Sequence, residues 1–431
     1  MDRLSRIDIH LDNVEHNLTV VRRALARESQ ARHVGVCAVL KADGYGAGAC
    51  AIARRLEHAG VEMVAVYSPA EASNLAEAGV TTPILVLAPV DHVGFDGALF
   101  HAARAGRVHL TVHSPQQLQA IIACAELLGS GGRRLPVHVE VDTGMSRGGS
   151  PPDVAAMLVR RIVECDRLAL AGVFSHLASA DRDGEASREQ DVAFSHWCDS
   201  VRTLLPDTCA VHFSNTFGVF RAPGLHRDMV RVGLALLGYA EEEFGPDQTF
   251  ALRDDAASLK PAVRWVTRVA HVSHIPTGAR VGYGGLWQAQ RPTTLALAPV
   301  GYADGYPLSL ARRAGGTGGA GGSGGTLGIA TAERTAYAPL VGAVSMDQIT
   351  IDVTDLAETP AIGTEVEVIG LDKHAPTHLP RVAHAAGTIS HELLCRLSPR
   401  VPRKYVCSDA GAPAIDQTGT RVSGAGLRQN P

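Results

Sequence analysis

Short apolar runs alternate with longer segments of helical spacing through the first 240 residues, and this alternation constrains the fold more than any other feature. The runs fall at 34–40, 63–67, 84–88, 108–112, 137–141, 170–175, 211–214 and 229–232. They are continuous rather than alternating, which suits strands buried on both faces. Start signals mark the segments between them. In Ser68-Pro69-Ala70-Glu71 the serine can cap a helix, the proline suits its first position, and the glutamate can close a capping box. The signal recurs as Ser114-Pro115-Gln116-Gln117, and Gly79 is a stop for the earlier of these helices. Asp12 and Glu15 open a helix whose apolar face is Val14, Leu18, Val21 and Leu25. Eight strand–helix units in this length predict an α/β fold, a (β/α)8 barrel over 1–244. A doubly wound open sheet is the runner-up. A GxGxxG turn after the first strand would favour it, but that run leads into Lys41-Ala42-Asp43-Gly44-Tyr45-Gly46.

The pattern changes after about residue 245. From Val263 short alternating strands with turn residues follow one another, and helical spacing is scarce until 379–397. A mostly β domain over 245–409 is expected. It contains a Gly-rich insert at 314–326, and a polar tail at 410–431 is expected to be disordered. Of the 45 glycines, 8 lie in the run 315–325, so glycine is otherwise close to the norm of about 7%. The charges nearly cancel, 40 basic against 44 acidic residues for a net −4, which argues against nucleic acid as a partner. No run approaches the roughly 18 apolar residues of a membrane span. The eight cysteines are scattered without a CxxC pair, and the first residues lack the apolar core of a secretion signal. Free thiols in the cytoplasm are the expectation.

In a barrel, catalytic groups sit at the C-terminal ends of the strands. Lys41 follows the first run. Asp142, Thr143 and Arg147 follow the fifth, His176 the sixth, and Asn215 and Thr216 the seventh. Arg231, Gly233 and Leu234 lie within and after the eighth. A lysine ending a buried strand loses hydration, which lowers its pKa and makes it a nucleophile able to form a Schiff base. A cofactor with an aldehyde, a phosphate and a pyridine nitrogen is pyridoxal 5'-phosphate. Backbone N–H groups at Gly233-Leu234 and the hydroxyls of Thr216 and Tyr45 are candidates for its phosphate. Arg231 is the candidate partner of the ring nitrogen. An arginine cannot accept a proton, so the ring nitrogen would stay unprotonated and the ring would be a weaker electron sink. That favours simple proton transfer.

These segments resemble bacterial alanine racemases. The resemblance is carried by VCAVLKADGYGAG, VHVEVDTGMSRGG, GVFSHLASAD, HFSNTFGVFRAPGLHRDMVRVGLALLGY, VGYGG, PVGYADGYP, VGAVSMDQITIDVTDL and TISHELLCRLSPRVPR, in order over roughly 7–406. It implies a barrel followed by a β domain, pyridoxal phosphate as cofactor, an amino-acid substrate, D-alanine biosynthesis as the setting, and a head-to-tail homodimer in which each site is completed by the partner's β domain. It implies Lys41 as cofactor lysine and base on one face of the substrate α-carbon, with Tyr283 from the partner on the other. Two opposed groups are what racemisation needs. His176 would link that tyrosine to Arg231. Arg147 would approach the cofactor's phenolic oxygen and the substrate carboxylate, Met346 and Asp347 would line the carboxylate side, and Tyr302 would stand at the entrance.

Three positions depart from the family pattern. Glu140 stands where many members carry a carbamylated lysine, and is expected to hold Arg147 directly or through water without carbamylation. His391 stands where a tyrosine normally touches the phosphate, which opens the specificity question. Leu308 replaces a common arginine near the entrance. The rival readings are a racemase of serine, a basic residue or a broader set, an amino-acid decarboxylase, and a non-catalytic pyridoxal-phosphate carrier. The absence of a Gly-rich phosphate loop within the barrel disfavours the decarboxylase, and the β domain disfavours the carrier.

Overall fold

A computed structural model describes residues 4–27, 33–129, 133–240, 250–311 and 324–407. The Gly-rich insert up to residue 323 and the tail beyond 407 lie outside the described residues. The chain divides into two compact units, residues 14–44 with 49–259, and residues 1–13, 45–48 and 260 onward.

The first unit is a closed parallel barrel. After strand β1 (Arg6–His10), the wall is built by β2 (Gly35–Val39), β3 (Met63–Val66), β4 (Ile84–Val86), β5 (Val108–Val112), β6 (Leu135–Glu140), β7 (Leu168–Phe174), β8 (Ala210–His212) and β9 (Met229–Val232). These are the eight apolar runs of the sequence. They pair in chain order, and β2 closes on β9 with Cys37 opposite Arg231. β2, β3, β4 and β9 are buried at every residue, as strands packed on both faces must be. The helix Pro69–Glu77 carries the complete capping box between Ser68 and Glu71. The helix Pro115–Leu127 is capped by the Ser114 hydroxyl, while Gln117 turns its side chain to the His113 N–H. Val14, Leu18, Val21 and Leu25 are buried along the helix Leu11–Ala26.

The second unit is mostly β. Its strands are β10 (Val263–Arg268), β11 (His271–Ile275), β12 (Arg280–Val281), β13 (Trp287–Gln288), β14 (Thr293–Ala298), β15 (Thr326–Ala330), β16 (Thr335–Val341), β17 (Ile349–Asp352), β18 (Glu365–Ile369) and β19 (Arg403–Val406). Nine strands form one sheet in the order β11-β14-β17-β16-β15-β18-β10-β1-β19, and β12 pairs with β13. This corrects the expected boundary. β1 belongs to the sheet, antiparallel to β10 and parallel to β19, and the barrel unit runs on to Leu259 rather than 244. The short run Ile7–Ile9 gave no sign of its distant partners, because its apolar residues fit either unit equally well. No helix among the described residues is long and apolar enough to cross a membrane. All eight cysteines are free thiols.

Candidate active site

Lys41 leaves β2 and enters a turn of left-handed helix. Ala42, Asp43 and Gly44 have φ of 53°, 53° and 63°, and Tyr45 follows at 57°. Each non-glycine residue in this conformation costs about 1–2 kcal/mol, so the surroundings must hold the turn. The Gly44 N–H donates to the Leu40 carbonyl at 2.8 Å, and the Ala49 N–H to the Asp43 carboxylate at 2.8 Å. Glu71 is the third support. One of its oxygens accepts the Ala42 N–H at 2.7 Å, and the other accepts the N–H groups of Tyr67 and Ser68 at 2.8 and 2.9 Å.

Arg231 is buried on β9, with its guanidinium over the Phe174 ring. It donates through Nη2 to the Ser175 carbonyl at 2.8 Å, the Phe213 carbonyl at 3.3 Å and Nδ1 of His176 at 3.2 Å, and through Nη1 to Nδ1 of His212 at 3.0 Å. Burial pushes its pKa down to about 10, and the charge of Glu140 offsets part of that fall. Because a guanidinium only donates, Nδ1 of His176 must be the unprotonated nitrogen and Nε2 carries the proton. Burial first, then the charges of Arg231, Arg147 and Lys41, push His176 down to about 3. The ring is therefore a neutral hydrogen-bonding group amid three cations.

The loop carrying Arg147 is shaped by Asp142, whose Oδ1 accepts the N–H groups of Gly144, Met145 and Ser146 at 2.9, 2.9 and 3.1 Å. Arg147 is exposed and has no ion pair among the described residues. The expected direct contact with Glu140 is not formed, and Glu140 meets His113 Nε2 at 2.6 Å. Register is the reason. Thr111 lies opposite His138 and Val112 opposite Val139, so the next step along β5 and β6 sets 113 beside 140. Thr143 bonds Ser175 between hydroxyls at 2.7 Å.

Two turns meet at Thr216. Asn215 caps the helix Thr216–Arg221 by accepting the Gly218 N–H at 3.0 Å. The Thr216 hydroxyl accepts from the N–H groups of Gly233 and Ala235, at 3.3 and 3.4 Å, where the turn Leu234–Leu237 begins. Lys41, Arg147, His176 and Arg231 thus share one electrostatic neighbourhood, while Asn215, Thr216, Gly233 and Leu234 form a second cluster of polar backbone around one hydroxyl.

The remaining candidates lie in the sheet unit. Tyr283 is 78% exposed on a turn whose flanking glycines, Gly282 and Gly284, have φ of 69° and 68°. Tyr302, Met346, Asp347 and Leu308 are also exposed. Arg400 ties two of their loops together, donating to Asp304 at 2.6 Å and Asp347 at 2.9 Å. Tyr45 is buried edge-on against the half-buried His391, 5.8 Å between ring centres, and burial pushes its phenol up.

Residues 9–241 match the family model described as "Alanine racemase, N-terminal domain", and residues 262–405 match "Alanine racemase, C-terminal domain". The chain belongs to the alanine racemase family. An alanine racemase of Treponema pallidum is 34% identical over 92% of this chain and 98% of that protein. Among solved structures, an alanine racemase from a D-cycloserine-producing Streptomyces lavendulae superposes with a TM-score of 0.78 at 28% identity, over 94% of this chain and 98% of that one. One from Bartonella henselae, described as holding covalently bound pyridoxal phosphate, gives 0.71 at 26% identity, over 94% and 100%.

The residues present fit such a cofactor. Lys41 supplies the amine, Arg147 and Arg231 share its neighbourhood as cations for a carboxylate and a ring nitrogen, and the Thr216 turn offers polar groups for a phosphate. Arg231 keeps its Nε hydrogen and one Nη1 hydrogen uncommitted among the described residues. Sequence reasoning read Glu71 only as a helix cap, without its contact to the Ala42 N–H, and missed His113 and Arg400. It also missed His109, His138 and His212, three polar residues in buried strands, whose one visible signal was a histidine interrupting each of three apolar runs.

Proposed function

We propose that the protein interconverts L- and D-alanine with pyridoxal 5'-phosphate, using Lys41 and Tyr283 as opposed acid–base groups. The buried Arg231–His176 contact beside Lys41 is the observation that carries this reading. When bound, the cofactor supplies an electron sink that acidifies the substrate α-hydrogen. Lys41 Nζ would hold the cofactor in the resting enzyme and, once the substrate amine has displaced it, would as a free amine take or return a proton on one face of the α-carbon. The Tyr283 hydroxyl, contributed by a second copy of the chain, serves the opposite face. His176, proton on Nε2 and neutral, donates toward that tyrosine and favours its deprotonated form. Arg231 donates to the ring nitrogen and keeps it unprotonated. Arg147 orients the substrate carboxylate, with Met346 and Asp347 alongside and Tyr302 at the entrance. Thr216 with the N–H groups at Gly233 and Leu234 holds the phosphate, assisted by Asn215, Tyr45 and His391. The scattered cysteines, none in a disulfide, support a cytoplasmic setting.

Incubation with L-alanine in deuterated water is expected to give racemic alanine with deuterium at the α-carbon. Release of carbon dioxide would replace this reading with decarboxylation, and exchange on serine or a basic amino acid but not alanine would move the substrate assignment. Lys41→Ala is expected to abolish the absorbance change of covalent cofactor binding. Retention of that change in the variant would reject the lysine assignment. Dilution into the monomer range is expected to lower specific activity if Tyr283 comes from a second copy, whereas constant activity counts against sharing.

A further inference from the structure

Three histidines sit in buried barrel strands, His109 on β5, His138 on β6 and His212 on β8, and their rings are hydrogen-bonded in series. Nδ1 of His109 lies 2.9 Å from Nε2 of His138, and Nδ1 of His138 lies 2.9 Å from Nε2 of His212. Nδ1 of His212 faces Arg231 at 3.0 Å. The far end is closed by a hydrogen bond from His109 to the Gly106 backbone. The guanidinium can only donate, so His212 accepts at Nδ1 and must donate at Nε2. His138 then accepts at Nδ1 and donates at Nε2, and His109 does the same. Every ring nitrogen is used, and the direction is the same from Arg231 to the Gly106 carbonyl.

We infer that His109, His138 and His212 form a one-way hydrogen-bonded column that positions Arg231. The inference rests on the proposed reaction only for what Arg231 then does to the cofactor. A barrel interior is ordinarily filled by branched aliphatic side chains, and buried polar rings are tolerated only when satisfied. Here the column does something an aliphatic layer or a carboxylate would not. An aliphatic layer leaves Nη1 without an acceptor. A carboxylate would pair with Arg231 and cancel its charge. A neutral imidazole fixes the direction of the guanidinium and leaves its charge intact for the barrel mouth. The rest of the wall is built around the rings. A Cβ at Gly172 on β7 would collide with the His138 ring, and His212 stacks on Phe174 with centroids 4.7 Å apart. Burial also holds the rings neutral, His109 down to about 4 and the other two well below the usual value.

The test uses the full chain, first without cofactor. Imidazole 15N spectra near neutral pH, assigned through single His variants, are expected to show all three rings with a bare Nδ1 and a protonated Nε2. A charged ring or a protonated Nδ1 in any of them overturns the column. For positioning, the Arg231 Nη hydrogens are expected to give separate resonances in the wild type and to merge through freed rotation in His109→Leu. His109→Gln keeps an acceptor for His138 and a donor for Gly106, so it is expected to restore the separation. In the loaded enzyme His109→Leu should lower kcat about tenfold with KM changed less than about twofold, and His109→Gln should recover most of that loss. Equal behaviour of the two variants in the Arg231 spectrum means that the ring acts by packing alone, and overturns the inference. Absence of any racemisation by the wild type would instead reject the proposed reaction and leave the spectral arms to decide the column.

Discussion

Glu71 shows how much one carboxylate can organise at the residue scale. Its two oxygens accept three N–H groups, one from the turn after Lys41 and two from the start of a helix. Glu71→Gln places an amide NH2 against N–H donors on one side, so a loss of about 1–3 kcal/mol is expected by urea denaturation. Slower covalent capture of pyridoxal phosphate by Lys41 should accompany it, because the strained turn would relax. Unchanged stability and capture rate would show that the turn is held without Glu71. Lys41, His176 and Arg231 stand out as candidates in the sequence because each interrupts or directly follows an apolar run, and Arg147 because it lies in the loop after the fifth run. The pairing of Glu140 with His113 was not. It depends on which residue of β5 faces which residue of β6, and register is a property of two strands rather than of either one.

At the scale of elements, the strands and helix starts followed from local chemistry. Apolar runs of strand length, and Ser-Pro pairs ahead of apolar helical faces, identify themselves without reference to partners. The join of β6 and β7 is different. Pairing shifts between Val137 and His138, which brings Gly172 rather than a larger residue opposite His138 and makes room for its ring. Gly172→Ala is expected to destabilise the protein by about 1–3 kcal/mol through this collision, read as a lower denaturation midpoint, and to perturb the His138 nitrogen resonances. A variant as stable as the wild type, with the same resonances, would mean that the wall yields locally.

The whole molecule carries a pH dependence that no single element predicts. His109, His138, His176 and His212 are held neutral by burial, reinforced by the charge of Arg231 for all but His109, with His109 down to about 4 and His176 to about 3. In the unfolded chain each would take a proton near pH of about 6.5. Between those values the unfolded state binds more protons than the folded one, so stability falls as pH is lowered. Full stability is therefore expected above about pH 6.5, with a decline of up to about 1.4 kcal/mol per pH unit for each histidine toward about pH 4. Thermal denaturation across that window measures it. A flat profile would show that water reaches the rings, whereas a steep one that flattens in His109→Gln would locate part of the effect in the column. The molecule also settles what belongs to which unit. β1 lies at the head of the sequence yet pairs with strands that begin at residues 263 and 403.

The sequence alone determined the eight-stranded barrel, the β domain after it, the family, and which residues end the barrel strands. These follow from periodicity, capping and residue type, which act over a few neighbouring positions. Only the tertiary structure decided the partner of Glu140, the sheet to which β1 belongs, the support of the left-handed turn by Glu71, and the histidine column behind Arg231. Each of those joins residues far apart in the chain through strand register and burial, and a buried polar group chooses its partner only after the wall around it has closed.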